Sequence, residues 1–399
     1  MAASASLSAG PCARRVALSA AMLCFFVQIS AVFGQLRFAA IGNYGFDPSG
    51  QKEVAETLKK TATAERISFL VSPGSNFPGG VSGANDTKWE DSFENVYSDE
   101  KGALKMPFLT VLGAEDWSGN YTALRERTEL VYGENSSSEI TSNSPKWTLP
   151  NWWYHYAAHF TASTGSAFIS SGQRELSVGL VFIDTWVLSS AFPFGEITER
   201  AWGDLEKTLN LAPKVFDFIL VIGNRPIYSS GSSKGDSLLQ YYLQPLLKKA
   251  DVDAYVSGYD RDLELIQEDG ITYVNCGTGS LAGTSALVLS SGSEFFSGEK
   301  GFCLFELTAE GLVTKLINGE NGNTLFEHKQ PLKSRPERST IDQFNSLSEI
   351  PEVVYVPVPE MGKLPGKDVF VRVVGTIGLC ILTVLASMGV ATGISRAMK

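Results

Sequence analysis

Histidine is scarce in this 399-residue chain, with only His155, His159 and His328 present. Little imidazole is therefore available for metal coordination. His155 and His159 are spaced i, i+4, as zinc pairs on helices are, but the surrounding run Trp152-Trp153-Tyr154-His155-Tyr156 is aromatic enough to favour a strand. Both would then share a strand face as packed or surface residues, with the two tryptophans reading as core. Cysteine is also sparse. Of five, Cys12 and Cys24 fall in an apolar leader and Cys380 in a C-terminal apolar run, so only Cys276 and Cys303 remain for a globular part. They either pair, closing a loop worth about 3 to 4 kcal/mol in the chain-entropy model, or stay as buried thiols. Positive charge is in deficit: 33 Lys and Arg face 43 Asp and Glu, a formal net charge of -10. That excludes the basic footprint of a nucleic-acid binder. Serine-hydrolase elbows, Gly-Lys-Ser phosphate loops, paired-thiol motifs and internal repeats are all lacking as well.

Apolar residues, at 44% of the chain, are plentiful and concentrate at both ends. Arg14 and Arg15 precede an apolar run from Val16 to Phe33, and Val32 and Gly34 stand before a cleavage position near Gln35. The pattern predicts a secretory signal over 1–34, with an uncleaved signal anchor as the alternative. From Val373 to Ile394 run 22 residues without a formal charge, which as a helix reach about 33 Å and span a bilayer. Basic residues flank that run on both sides and do not orient it, whereas the signal places the preceding domain in the lumen and 395–399 in the cytosol. Arg396 and Lys399 at the extreme end disfavour a removed lipid-anchor signal. Sequons at Asn85, Asn120 and Asn135 lie on the expected lumenal side. Between 329 and 368 six prolines punctuate a polar stretch that reads as a stalk. The expected organisation is therefore signal 1–34, globular domain 35–328, stalk 329–368, membrane helix 369–394 and tail 395–399.

Inside the globular part, short apolar runs alternate with amphipathic stretches. Strands are predicted over 36–41, 67–71, 108–112, 178–184, 218–222 and 254–257, and helices over 50–64, 198–211 and 237–250, an α/β pattern. Beyond 250 the chain turns mostly to strands, with 271–275, 301–307 and 313–317 read as members of a second sheet. In such folds functional groups gather where strands end in loops. Those ends read Gly42-Asn43-Tyr44-Gly45, Gly74-Ser75-Asn76-Phe77-Pro78-Gly79-Gly80-Val81, Gly113-Ala114-Glu115-Asp116, Val221-Ile222-Gly223-Asn224-Arg225-Pro226 and Gly258-Tyr259-Asp260-Arg261-Asp262.

In order and flanking glycines, these five blocks resemble those of purple acid phosphatases, in the metallophosphoesterase superfamily, over roughly 37–327. The resemblance implies a two-sheet β-sandwich flanked by helices. It also implies seven metal-ligand positions, and all seven are changed here, to Asn43, Ser75, Pro78, Ala114, Asn224, Tyr259 and Arg261, with Glu115 at a further site position. Ser75 offers no bridging carboxylate, the asparagines offer neutral amides, Ala114 offers nothing and Arg261 brings a fixed cation. No metal cofactor is expected from this set. Asp47, Asp116, Asp184, Asp260 and Asp262, with the two asparagines, could still form an oxygen-rich place for a divalent cation, and Arg225 and Arg261 could retain an anion. The blander reading gives Asp260 to a tight turn and pairs Asp262 with Arg261.

A signal, a ligand-poor phosphatase domain, a stalk, one span and a five-residue tail together resemble the acid-phosphatase-like glideosome-associated membrane anchors of apicomplexan parasites. That resemblance implies a non-catalytic scaffold of the inner membrane complex, reached through the secretory pathway, that recruits the subunits and light chains of a myosin motor complex. The enzymatic alternative is a weak metal-dependent acid phosphatase with a shifted site; a lumenal receptor role, suggested by Trp152 and Trp153, is a third reading.

Overall fold

The computed structural model describes residues 35–132, 143–164, 172–189, 195–283, 285–286 and 288–335. The expected signal, membrane helix, tail and Asn135 lie outside them. Among the described residues no helix is long and apolar enough to cross a membrane.

Strands β1 (Leu36–Ala40), β2 (Phe69–Ser72), β3 (Pro107–Thr110) and β4 (Lys146–Thr148) pair in parallel to form one side of a sheet, with β4 at its edge. β12 (Gly301–Leu307), β13 (Gly311–Asn318) and β14 (Thr324–Pro331) extend it antiparallel from β1. The second sheet mirrors this plan. β6 (Gly172–Phe182), β7 (Phe218–Ile222), β8 (Ala254–Ser257) and β10 (Ile271–Cys276) run parallel, flanked by β5 (Tyr154–Thr164) on one side and by β9 (Leu263–Glu268) and β11 (Ser293–Ser297) on the other.

Side-chain alternation builds the layers. Phe38, Phe69 and Val71 from the first sheet meet Leu180, Leu220 and Val256 from the second in one apolar layer. The intervening residues of the second sheet, Ile219, Val221 and Tyr255, join an outer layer with Leu205 and Leu209 of the helix Gly195–Leu211 and with Leu239 and Leu243 of the helix Ser237–Lys249. Strands buried on both faces read as unbroken apolar runs, which is why Phe218–Ile222 is legible as a central strand. A further helix, α1 (Pro48–Glu65), starts where Asp47 caps it, accepting hydrogen bonds from the Ser49 and Gly50 amides. Cys276 and Cys303 are disulfide-bonded, with Cα atoms 5.8 Å apart. Because Cys276 ends β10 and Cys303 lies in β12, the bond joins the two sheets.

Three expectations need correction. The segments 301–307 and 313–317 are strands, but they join the first sheet beside β1, since periodicity marks a strand and not its partner. The globular fold also runs past 328. β14 continues to Pro331, Lys333 reaches the Asp251 carboxylate at 2.9 Å, and Arg335 pairs with buried Asp253 at 2.8 Å. β14 is an edge strand of alternating exposure, so its polar sequence passes for a stalk. His328 accordingly has partners, lying 3.0 Å from Glu294 and 3.1 Å from Gln267. Trp152 and Trp153 precede β5 and are half-buried, with Trp152 against Trp117 and Tyr121. Asn85 and Asn120 are both exposed.

Replacing both cysteines, Cys276→Ala with Cys303→Ala, should lower the unfolding free energy by about 3.5 kcal/mol for a 27-residue separation. Denaturant midpoints read this directly; a double variant as stable as the parent would show that the disulfide contributes nothing to holding the sheets.

Candidate functional site

Parallel strands end together, so the loops after β1, β2, β3, β7 and β8 collect at one end of the sandwich and bring Asn43, Ser75, Gly113 and Asn224 into contact range. Asn43 sits in left-handed backbone, φ 52°, a conformation asparagine tolerates. Its buried side-chain nitrogen donates to the carbonyls of Gly258, Gly277 (3.1 Å) and Tyr259 (3.2 Å). Asn224 is also buried, and its side-chain nitrogen donates to the Pro73 carbonyl at 2.9 Å and to Ser75 Oγ at 3.3 Å. Ser75 itself holds φ 56° beside Gly74 at φ 88°. A Cβ on Gly74 would stand 2.8 Å from the Asn224 amide, and one on Gly113 would stand 2.7 Å from it. The pocket around that amide is closed by backbone.

The remaining positions face outward or pack. Pro78 lies against Gly45, and Glu115 accepts a hydrogen bond from the Gly79 amide at 2.9 Å. Ala114 is half-buried and contributes no donor atom from its side chain. Tyr259 is 41% exposed. Arg261 is exposed, and its guanidinium stacks 4.4 Å from the Phe46 ring instead of pairing with Asp262, whose side chain is turned into the protein against Asn275. Arg225 is held by Asp236 at 2.9 Å and lies 4.7 Å from the Trp186 ring. Neither arginine thus aims an unengaged guanidinium face into the pocket.

The acidic residues are consumed by protein donors. Asp116 is fully buried and accepts from the amides of Gly113 (2.9 Å), Asn76 (3.0 Å) and Phe77 (3.1 Å) and from the Asn76 side chain (2.9 Å), tying the β2 and β3 loops together. Asp184 accepts from Trp117 Nε1 and from the Trp186 and Val187 amides. Asp260 accepts from the hydroxyls of Ser229, Ser232 and Ser233, and Glu264 accepts from the Ser230 amide and hydroxyl and from Ser293. Glu264, Ser280 and Asn275 escaped the sequence reading. The acids at 260, 262 and 264 were the available signal, although only Glu264 lies in β9 and the other two precede it. Ser280, in the loop after β10, accepts from the Phe46 and Asp47 amides and donates to the Asn43 carbonyl.

These residues do not fit a dinuclear metal centre. At the first and fourth blocks the inward-facing atoms are N–H donors already bonded to oxygens, and a metal needs lone pairs there. Among the described residues no group of three or more His, Cys, Asp or Glu side chains could hold a metal ion. Asp47, Asp116 and Asp184 have separate partners, so the five aspartates do not converge. His155 and His159 do share a face of β5, but four strand residues separate them by about 13 Å. No single ion bridges that distance.

Two facing sheets with parallel centres, and loops gathered at their common end, define a metallophosphoesterase-fold protein of the purple acid phosphatase type. A purple acid phosphatase from yellow lupin shares this fold at a TM-score of 0.50 and 14% identity, covering 79% of this chain and 56% of that one. Human tartrate-resistant acid phosphatase type 5 is 27% identical over 332 residues, covering 75% of this chain and 92% of the relative. No family model matches the chain. Glideosome-associated protein 50 of Plasmodium falciparum is 44% identical over 384 residues, covering 94% of this chain and 96% of its own. A Plasmodium structure described as GAP50, the anchor in the inner membrane complex, superposes at a TM-score of 0.71 with 43% identity over 79% of this chain and 95% of that one. The chain belongs to the glideosome-associated protein 50 family.

Burial pushes Asp116 up to about 6, Asp184 to about 7 and Asp262 to about 8, the last also because Glu264 and Asp260 lie near it. A carboxyl raised on folding stabilises most below its unfolded value, and that contribution is lost as pH rises through the folded one. Burial lowers His155 to about 4, which acts in the opposite sense below about pH 6.5. Between pH 6.5 and 8.5 the thermal midpoint should therefore fall. Asp262→Asn keeps an acceptor for Asn275, so it should flatten the upper half of that slope; a midpoint rising with pH in this window would contradict the assignment.

Proposed function

We propose that the chain is a non-catalytic membrane anchor, a scaffold of the inner membrane complex that tethers an actin-myosin gliding motor. The observation that carries the non-catalytic part is the Asn43 side chain: where a phosphatase of this fold would use a carboxylate on metal, an amide donates to three carbonyls. Without a bound metal no water is activated and no phosphoryl oxygen is polarised, so the fold's hydrolytic route has no nucleophile. On this reading Asn43, Ser75, Pro78, Ala114, Asn224, Tyr259 and Arg261 are former ligand positions.

The anchoring part is supported by membership of a family whose Plasmodium relative is described as an inner-membrane-complex anchor. It also draws on the uncharged run 373–394. The proposed topology is type I, with a lumenal domain glycosylated at Asn85, Asn120 and Asn135 and with 395–399 in the cytosol. A tail that short presents little surface, so myosin subunits and light chains would engage the membrane-proximal residues with it.

Purified full-length protein should contain no stoichiometric iron, zinc or manganese and should not turn over an aryl phosphate. Metal at one or two equivalents with chelator-sensitive turnover would instead establish a weak phosphomonoesterase. Replacing 375–399 with an unrelated span and tail should abolish co-precipitation of motor subunits; recruitment surviving the swap would move the docking surface elsewhere.

A further inference from the structure

We infer that Asn43 and Asn224 form a metal-independent staple that binds the two sheets together across the loop end of the sandwich. The inference rests on the metal-free reading above and gives the altered positions a task of their own.

Asn43 belongs to the loop after β1, in the first sheet, and its three carbonyl acceptors follow β8 and β10, in the second. Asn224 follows β7 in the second sheet and reaches back to Pro73 and Ser75, which follow β2 in the first. The two amides therefore cross in opposite directions. Around Asn43 every partner is a carbonyl oxygen, so the nitrogen, and not the oxygen, of the amide must point there. A carboxylate in the same place would set negative oxygens against three carbonyls, two of them in buried bonds, and withdraw the donor they share. The ligand set of the related phosphatases is thus incompatible with the present loop geometry one residue at a time.

Backbone bonds reinforce the same crossing: the Gly42 amide donates to the Cys276 carbonyl at 2.8 Å, and the Gly279 amide to the Gly42 carbonyl at 3.0 Å. Asn43 and Ser75 keep left-handed backbone, a conformation that costs free energy in L-residues and persists where surrounding contacts over-determine it.

Hydrogen–deuterium exchange on the full-length protein in detergent tests the staple. Two variants are informative. Asn43→Gly suits the positive φ and removes only the donor, while Asn43→Asp installs a carboxylate. Both should speed exchange in segments 256–260 and 275–279 by about tenfold or more, as expected when buried hydrogen bonds between loops are lost. Asn43→Asp should also lower the thermal midpoint by about 5 °C or more, and neither Mn²⁺ nor Zn²⁺ should restore it. Unchanged exchange in Asn43→Gly overturns the staple and leaves the metal-free reading intact. Restoration of Asn43→Asp by metal also overturns it, because the loops would then still accept an ion. Slower exchange of the parent with Mn²⁺ or Zn²⁺, reversed by chelator, overturns the metal-free reading itself.

Discussion

An amide nitrogen has two hydrogens to give and a carboxylate has none, and at residue 43 that difference decides what the loop end of the sandwich is. Two sheets packed face to face are held by apolar contact along their lengths, but contact of that kind is non-directional and says little about how loops at the rim are arranged. Rim geometry needs directional bonds. Here they are Asn43 to the loops after β8 and β10, Asn224 to the loop after β2, and the Cys276–Cys303 disulfide between β10 and β12.

The same logic explains which acidic residues stand at these strand ends. Asp116, Asp184, Asp260 and Glu264 all accept hydrogen bonds from amides or hydroxyls of the protein, so their charge or dipole is met without an ion. A buried carboxylate with no donor is costly, whereas one with four donors holds loops together whether or not metal is near. Asp116 is the clearest case, since three backbone amides and the Asn76 side chain donate to its carboxylate and lock the β2 and β3 loops.

Much of this frame was legible in the sequence, and the illegible parts share a cause. The central strands could be found because burial on both faces leaves unbroken apolar runs such as Phe218–Ile222. Sheet membership of β12 and β13 could not, because β12 pairs with β1, a strand remote in sequence, and β13 joins the sheet only through β12. The end of the domain was misplaced because β14 is an edge strand with polar alternation, and its continuation is fixed by Arg335 and Lys333 on Asp253 and Asp251, contacts that leave no periodic trace. At the site, block order located Asn43 and Asn224, and residue chemistry said what they could not do. What they do depends on carbonyls at 73, 258, 259 and 277, and backbone atoms have no sequence signature.

For a scaffold, the kind of crosslink matters as much as its presence. Metal ligation is strong but conditional, since it depends on ion supply and on ligand protonation. Amide-to-carbonyl bonds carry no such condition, because neither group titrates in the physiological range. Each contributes only about 1 kcal/mol net, so a staple built from them works through number and placement. The placement is telling: Gly42 bonds Cys276, Asn43 bonds Gly277, and Cys276 is covalently joined to Cys303, whose strand pairs with β1. Those links close a ring through β1, β12 and β10, so pulling one sheet against the other at this end loads covalent and hydrogen bonds together. A domain so closed holds its shape at this end by its own bonds.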